Sequence, residues 1–246
     1  MPSSHSHSAN KDLPSTHWTL IGRLRSGVDT EKRQGLDMLC TQYHYPLYCF
    51  LRRRGLSHHD AQDVLHDFLA KVLRLDVFAK ADQAKGRLRT LLLTSLDRHV
   101  STWAGRKKRQ PPTLSEEAEA ALGTDESRYD RERFSDGDSP GAVYDRKWAQ
   151  ELLSRSLERL REQYAAAGKE RQFQALKPVL LSGGSLKDAD SAALAAELGL
   201  TPNALRVTLS RLLKDYRKSL KAEVAETVSS GTDVEKELAD LRHIFR

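Results

Sequence analysis

The stretch Ser191 to Leu220, SAALAAELGLTPNALRVTLSRLLKDYRKSL, constrains the fold more tightly than any other part of the chain. Gly199 stands where a residue able to take φ > 0 ends a first helix at little cost. Thr201 offers a hydroxyl N-cap, and Pro202 falls at the first position of a second helix, where its missing N–H is harmless. Leu205, Leu209, Leu212, Tyr216 and Leu220 then follow the helical period as one apolar stripe. The opposite face carries Arg206, Ser210, Arg211, Lys214, Arg217, Lys218 and Lys221. One side is suited to packing and the other to anions, the layout of a helix-turn-helix whose second helix enters a DNA major groove. The plainer reading of the same residues is a helical hairpin with a solvated cationic face.

Composition narrows the class. The chain has 246 residues, of which 39% are hydrophobic and 30% charged, a balance that favours small helical domains over one large core. The net charge of +6 suits a polyanionic partner without identifying one. Cys40 and Cys49 are neither spaced as a metal knuckle nor numerous enough for a disulfide framework, which fits a reducing cytoplasm. No apolar run approaches the ~18 residues that span a bilayer. The opening MPSSHSHSANKD has no signal-peptide core, so a cytoplasmic protein without membrane attachment is expected.

The fold class expected is all-α. Residues 1–15 read as a disordered tail and 16–109 as a first helical domain. A flexible acidic linker follows over 110–141, where Pro111 and Pro112 stop any incoming helix. A second helical domain with the helix-turn-helix occupies 142–228, and a helical extension 229–246. Within the first domain, a helix over Lys32–Arg54 turns Leu36, Leu39, Cys40, Tyr43, Leu47, Phe50 and Leu51 inward, with a kink or break expected at Pro46. Ser57 can cap a second helix bearing Ala61, Val64, Leu65, Phe68, Leu69, Val72 and Leu73. A third begins near Arg87 and carries Leu88, Leu91, Leu92, Ser95, Leu96, Val100 and Trp103. In the extension, Val234, Leu238, Leu241 and Phe245 form a stripe that should bury, most simply against the second domain.

Two polar constellations invite a functional reading. Gln62, Asp63, His66 and Asp67 share one face of the second helix, with His58, His59 and Asp60 at its start. His59, Asp63 and His66 could converge on a metal, but the opposing ligands of a bundle site are missing, and a solvated or protein-docking face remains open. The third helix and its flanks carry Lys85, Arg87, Arg89, Arg98, Arg106, Lys107, Lys108 and Arg109 against Asp97 alone, the density that phosphate neutralisation needs. Thr94, Ser101 and Thr102 add hydrogen-bonding capacity beside them, and Trp103 fits a core position better than a base-stacking one. No phosphate loop, nucleophile elbow or catalytic triad spacing occurs, so neither an enzyme nor a cofactor is expected.

DAQDVLHDFLAKVL (Asp60–Leu73), KGRLRTLLLTSLDRHVSTWAGRKKR (Lys85–Arg109) and the helix-turn-helix, in that order, resemble bacterial RNA polymerase sigma factors of the compact extracytoplasmic-function type. The first segment resembles the family's polymerase-docking helix, the second its −10 recognition and melting stretch, the third its −35 reader. His66 stands where that family usually has Gln, and strand-separating aromatics are sparse. The resemblance implies that Gln62, Asp63, His66 and Asp67 meet core polymerase. It places Arg87, Arg98, Ser101, Arg106, Lys107 and Lys108 near the −10 element, and Asn203, Ala204, Arg206, Val207, Ser210, Arg211 and Lys214 at the −35 element. It further implies transcription initiation at promoter DNA as the function, with an anti-sigma factor as an optional partner. The acidic linker residues Glu116, Glu117 and Glu119 would then hold the free protein off DNA. A helix-turn-helix regulator acting without polymerase, and a helical metalloenzyme built on His58–Asp67, are the rival expectations.

Overall fold

A computed structural model describes residues 28–73, 87–106, 125–132, 134–135, 137–187, 190–228 and 231–245. The expected 1–15 tail, Lys85, Lys107, Lys108, Arg109, Glu116, Glu117 and Glu119 lie outside the described residues, as does the Arg106 side chain. All regular structure among those described is helical. The helices are α1 (Asp29–Arg53), α2 (His58–Leu73), α3 (Leu88–Arg106), α4 (Pro140–Ala166), α5 (Glu170–Leu181), α6 (Ser191–Leu198), α7 (Pro202–Ala225) and α8 (Gly231–Ile244), with a short helical segment over 125–131.

Local chemistry sets most of the boundaries. Ser57 Oγ accepts from Asp60 N at the start of α2, as its sequence position predicts. Ser139 caps α4 by accepting from Ala142 N, and Pro140 takes the first helical position. α1 continues through Pro46 as one helix, so the expected break does not occur there. α5 ends on Gly183 and Gly184, with φ of 101° and 74°. The backbone at Gly184 lies so close to α7 that an added Cβ would meet Leu213 Cδ2 at 2.7 Å. Gly184→Ala should therefore destabilise the chain by about 1–3 kcal/mol, combining left-handed backbone with overpacking, as measured by urea unfolding.

Two apolar clusters form. The smaller joins Leu160 of α4, Phe173, Leu176 and Leu180 of α5, Ala195 of α6, and Leu205, Leu209 and Leu212 of α7. The larger contains the inward faces of α1, α2 and α3 together with Tyr144, Trp148 and Leu152 of α4, Val224 of α7, and Val234 and Leu241 of α8. The broadest helix–helix contact is α1 against α4, so the larger cluster draws on residues from both sides of the acidic segment. α4 belongs to both clusters.

The second half of the expected tether is packed. Arg128 lies over the Tyr45 ring at 3.6 Å from its centroid, and Tyr129 meets Tyr48 edge-on at 6.0 Å. Arg53 donates to the carbonyls of Ser135 and Asp138, and Arg146 pairs with the Asp138 carboxylate at 2.7 Å. These contacts cover a second face of α1, which explains why Tyr45, Tyr48 and Cys49 are buried outside the single predicted stripe. Burial pushes the Cys49 thiol up to about 12, so it stays protonated and unreactive at neutral pH.

Candidate nucleic-acid interface

The α6–α7 hairpin is built by the punctuation read from its sequence. Asp190 caps α6 by accepting from Ala193 N at 2.9 Å, and Gly199 closes it in the left-handed region at φ 64°. Leu200 N returns to Ala195 O at 2.8 Å, satisfying a terminal carbonyl. Thr201 Oγ1 then accepts from Ala204 N at 3.2 Å, and α7 runs on from Pro202. Leu205, Leu209 and Leu212 are buried. Tyr216 and Leu220 are half-buried, and the inward face beyond them passes to Ser219, Glu223 and Val224. Ser219 donates to Ser156 O at 2.9 Å, while Glu223 faces Arg155 and Arg159. A purely apolar periodicity could not register that polar stretch.

The outward face of α7 presents Asn203, Arg206, Val207, Ser210, Arg211 and Lys214 to solvent, with Ala204 half-buried at its edge. Val207 is 44% exposed, an apolar side chain in the middle of a cationic surface. Among the described residues Arg206, Arg211, Lys214, Arg217 and Lys218 form no ion pair, whereas Arg87, Arg89, Arg128, Arg146, Arg159 and Arg161 all do. A cleft of about 620 Å³ flanks this face, between the Gly184–Lys187 loop and Arg206, Ser210 and Arg217. Its geometry is that of a convex helix with unneutralised cations and a shallow groove beside it, suited to a phosphate backbone and base edges.

The predicted −10 face is divided. Arg98 and Ser101 are exposed on α3, with Ser101 donating back to Asp97 O. Arg87 is not available as its position suggests. It pairs with Glu237 at 2.9 Å and with Asp240, both on α8. The adjacent Arg89 is 8% exposed, bound to Glu237 at 2.7 Å and to Asp145, and its guanidinium lies 4.8 Å from the Trp148 ring centroid. No pattern in the 87–89 segment announces these partners, because they come from α4, 56 residues further on, and from α8, 148 residues or more further on.

The predicted docking face of α2 is also partly covered. Gln62 is 2% exposed and belongs to the interior, a correction to its assignment to the polymerase interface; it sits beside Ala61 and packs inward with it. Asp63, His66 and Asp67 are half-buried. Asp67 faces His99 Nε2 at 3.2 Å, and Lys71 approaches His99 Nδ1 at 2.7 Å. A lysine can only donate, so Nδ1 accepts and the ring proton lies on Nε2, the side that faces the Asp67 carboxylate. His99, read as neither core nor site, thus ties α2 to α3. Tyr48 Oη accepts from Arg52 and is hydrogen-bonded to His58 Nδ1 at 2.8 Å. Among the described residues no group of three or more His, Cys, Asp or Glu side chains is placed to hold a metal ion, and no helix is long and apolar enough to cross a membrane.

Burial lowers the pKa of His58 and of His66 below the ordinary 6.5, against the opposing pull of Glu126 and Asp63 respectively. The unfolded chain therefore binds more protons just below 6.5. Stability is full above that value and declines as pH falls through the folded-state pKa values. Urea midpoints measured across this range should show the decline, and His58→Gln with His66→Gln should flatten it.

Comparison with family models, with curated proteins and with solved structures finds no match to this chain.

Proposed function

We propose that the chain is a non-enzymatic transcription initiation factor of the sigma type, binding core RNA polymerase and reading promoter DNA through α7 and α3. The observation that carries this reading is the outward face of α7. Five cations without ion pairs among the described residues surround Asn203, Val207 and Ser210, directly after a capped turn. Basic side chains there would take phosphates, and the short polar and apolar residues between them would meet base edges. Arg98 and Ser101 on α3 supply a second basic surface for the downstream element. Asp63, His66 and Asp67 supply the docking edge. A DNA-binding regulator that acts without polymerase is favoured by the burial of Gln62, which narrows that edge.

Co-purification separates the two. The tagged chain should retain core polymerase and support run-off transcription, whereas a regulator would bind duplex and leave polymerase behind. At residue level, Arg206→Ala and Arg211→Ala should each weaken promoter binding by about 1–3 kcal/mol where they touch bases. Competition between matched and mismatched upstream elements checks this. A loss equal on every sequence would mean phosphate contact alone.

A further inference from the structure

The basic edge at the start of α3 already has an anionic occupant. Glu237 is fully buried and reaches both arginines, at 2.9 Å to Arg87 Nε and 2.7 Å to Arg89 Nε. Asp240, one turn further along α8, pairs with Arg87 and lies 3.5 Å from Arg89. Two carboxylates on one helical face thus meet two guanidinium groups, which pair with phosphate oxygens by the same charge-assisted hydrogen bonds. We propose that α8 is a latch: its carboxylates occupy the basic edge of α3 in place of nucleic-acid phosphate, and this edge binds a phosphate backbone once α8 lifts. The proposal rests on the reading of the chain as a DNA-binding protein.

The anchorage of α8 fits a removable element. Only Val234 and Leu241 of its apolar residues are buried, Leu238 and Ile244 are half-buried, and Phe245 is 48% exposed. Beside that apolar contact its hold includes the ion pairs of Glu237 and Asp240, and ionic contacts are those that a polyanion competes for. Lifting the whole helix returns Glu237 to water and uncovers Arg87 together with the face of Arg89 turned to α8, while Asp145 of α4 stays paired with Arg89. Removing one partner strands the other, which separates opening from mutation. Elements held by few apolar contacts are the ones that open first.

The test uses the full chain with Asp240→Asn, because Asp240 is partly exposed and Glu237 stays in place to preserve the fold. Hydrogen exchange over 231–244 and binding of a DNA duplex without polymerase are both measured. Asp240→Asn should speed exchange in that segment and tighten duplex binding about threefold to fivefold, the scale of a partly exposed ion pair. Adding Arg87→Ala should abolish the gain. The latch is overturned if exchange rises with no tightening, if the gain survives Arg87→Ala, or if the variant binds no duplex at low salt. Polymerase plays no part in this titration. Failure of the chain to bind polymerase therefore sinks the initiation-factor reading and leaves the latch result legible.

Discussion

Trp148→Ala should lower the stability of the chain by about 3–5 kcal/mol, the range for deleting a buried aromatic from a close-packed core. Trp148 is fully buried on α4, and the Arg89 guanidinium lies near its ring. Tyr43 and Tyr144 are buried in the same cluster. The cavity left would open at the junction of α1, α3 and α4, where no single helix can move in to fill it. Urea unfolding followed by tryptophan-independent circular dichroism measures the loss. A cost under about 1 kcal/mol would mean that α4 does not hold the first three helices in solution.

Phe173→Ala should cost about as much, again 3–5 kcal/mol, but in the smaller cluster. Phe173 is fully buried on α5, with the Tyr164 ring tilted against it at 6.1 Å. Its neighbours in that cluster include Leu205 and Leu209, the residues that seat α7. The two variants should differ in reach. Phe173→Ala should speed hydrogen exchange over α5, α6 and the first half of α7 while α1 to α3 keep their protection, whereas Trp148→Ala should loosen α1 to α4. Uniform loss of protection from Phe173→Ala would show that the clusters unfold as one unit.

Local signals were the most legible. Gly199, Thr201 and Pro202 specify a turn whose hydrogen bonds form within five residues of one another, and the structure places them as read. The stripe Ala61, Val64, Leu65, Phe68, Leu69 and Val72 is likewise buried in full, because it follows one period on one face. α1 is different. Its periodicity named one buried face, yet Tyr45, Tyr48 and Cys49 are buried by the 125–131 segment and α4, partners that no local pattern encodes.

The candidate site follows the same division. The α7 face is legible because helix geometry alone decides which residues point outward. Gln62 and Arg87 are harder to read, because polar character alone does not decide exposure. Gln62 is buried, and Arg87 keeps a partly exposed side chain but is held by two carboxylates of α8. The stripe of α8 was read as burying, and it does so in part, but against the cluster that contains α1 to α3 as well as against α7. The acidic linker residues Glu116, Glu117 and Glu119 lie outside the described residues. Among those described, Glu237 and Asp240 are the carboxylates that meet the arginines at the start of α3, brought there by long-range folding.

α4 has a metric consequence. With 27 residues it is a rod about 40 Å long, comparable to roughly twelve base pairs of duplex. One end is seated among α1 and α3, and the other holds the cluster that carries α7. While α1 grips it, the rod acts as a caliper that fixes the gap between α3 and α7. Under the proposed function, a duplex whose two elements are set further apart than that gap would be straddled only by a chain that has given up the α1–α4 contact. Spacer length in the DNA would then report, base pair by base pair, whether the caliper is closed or open.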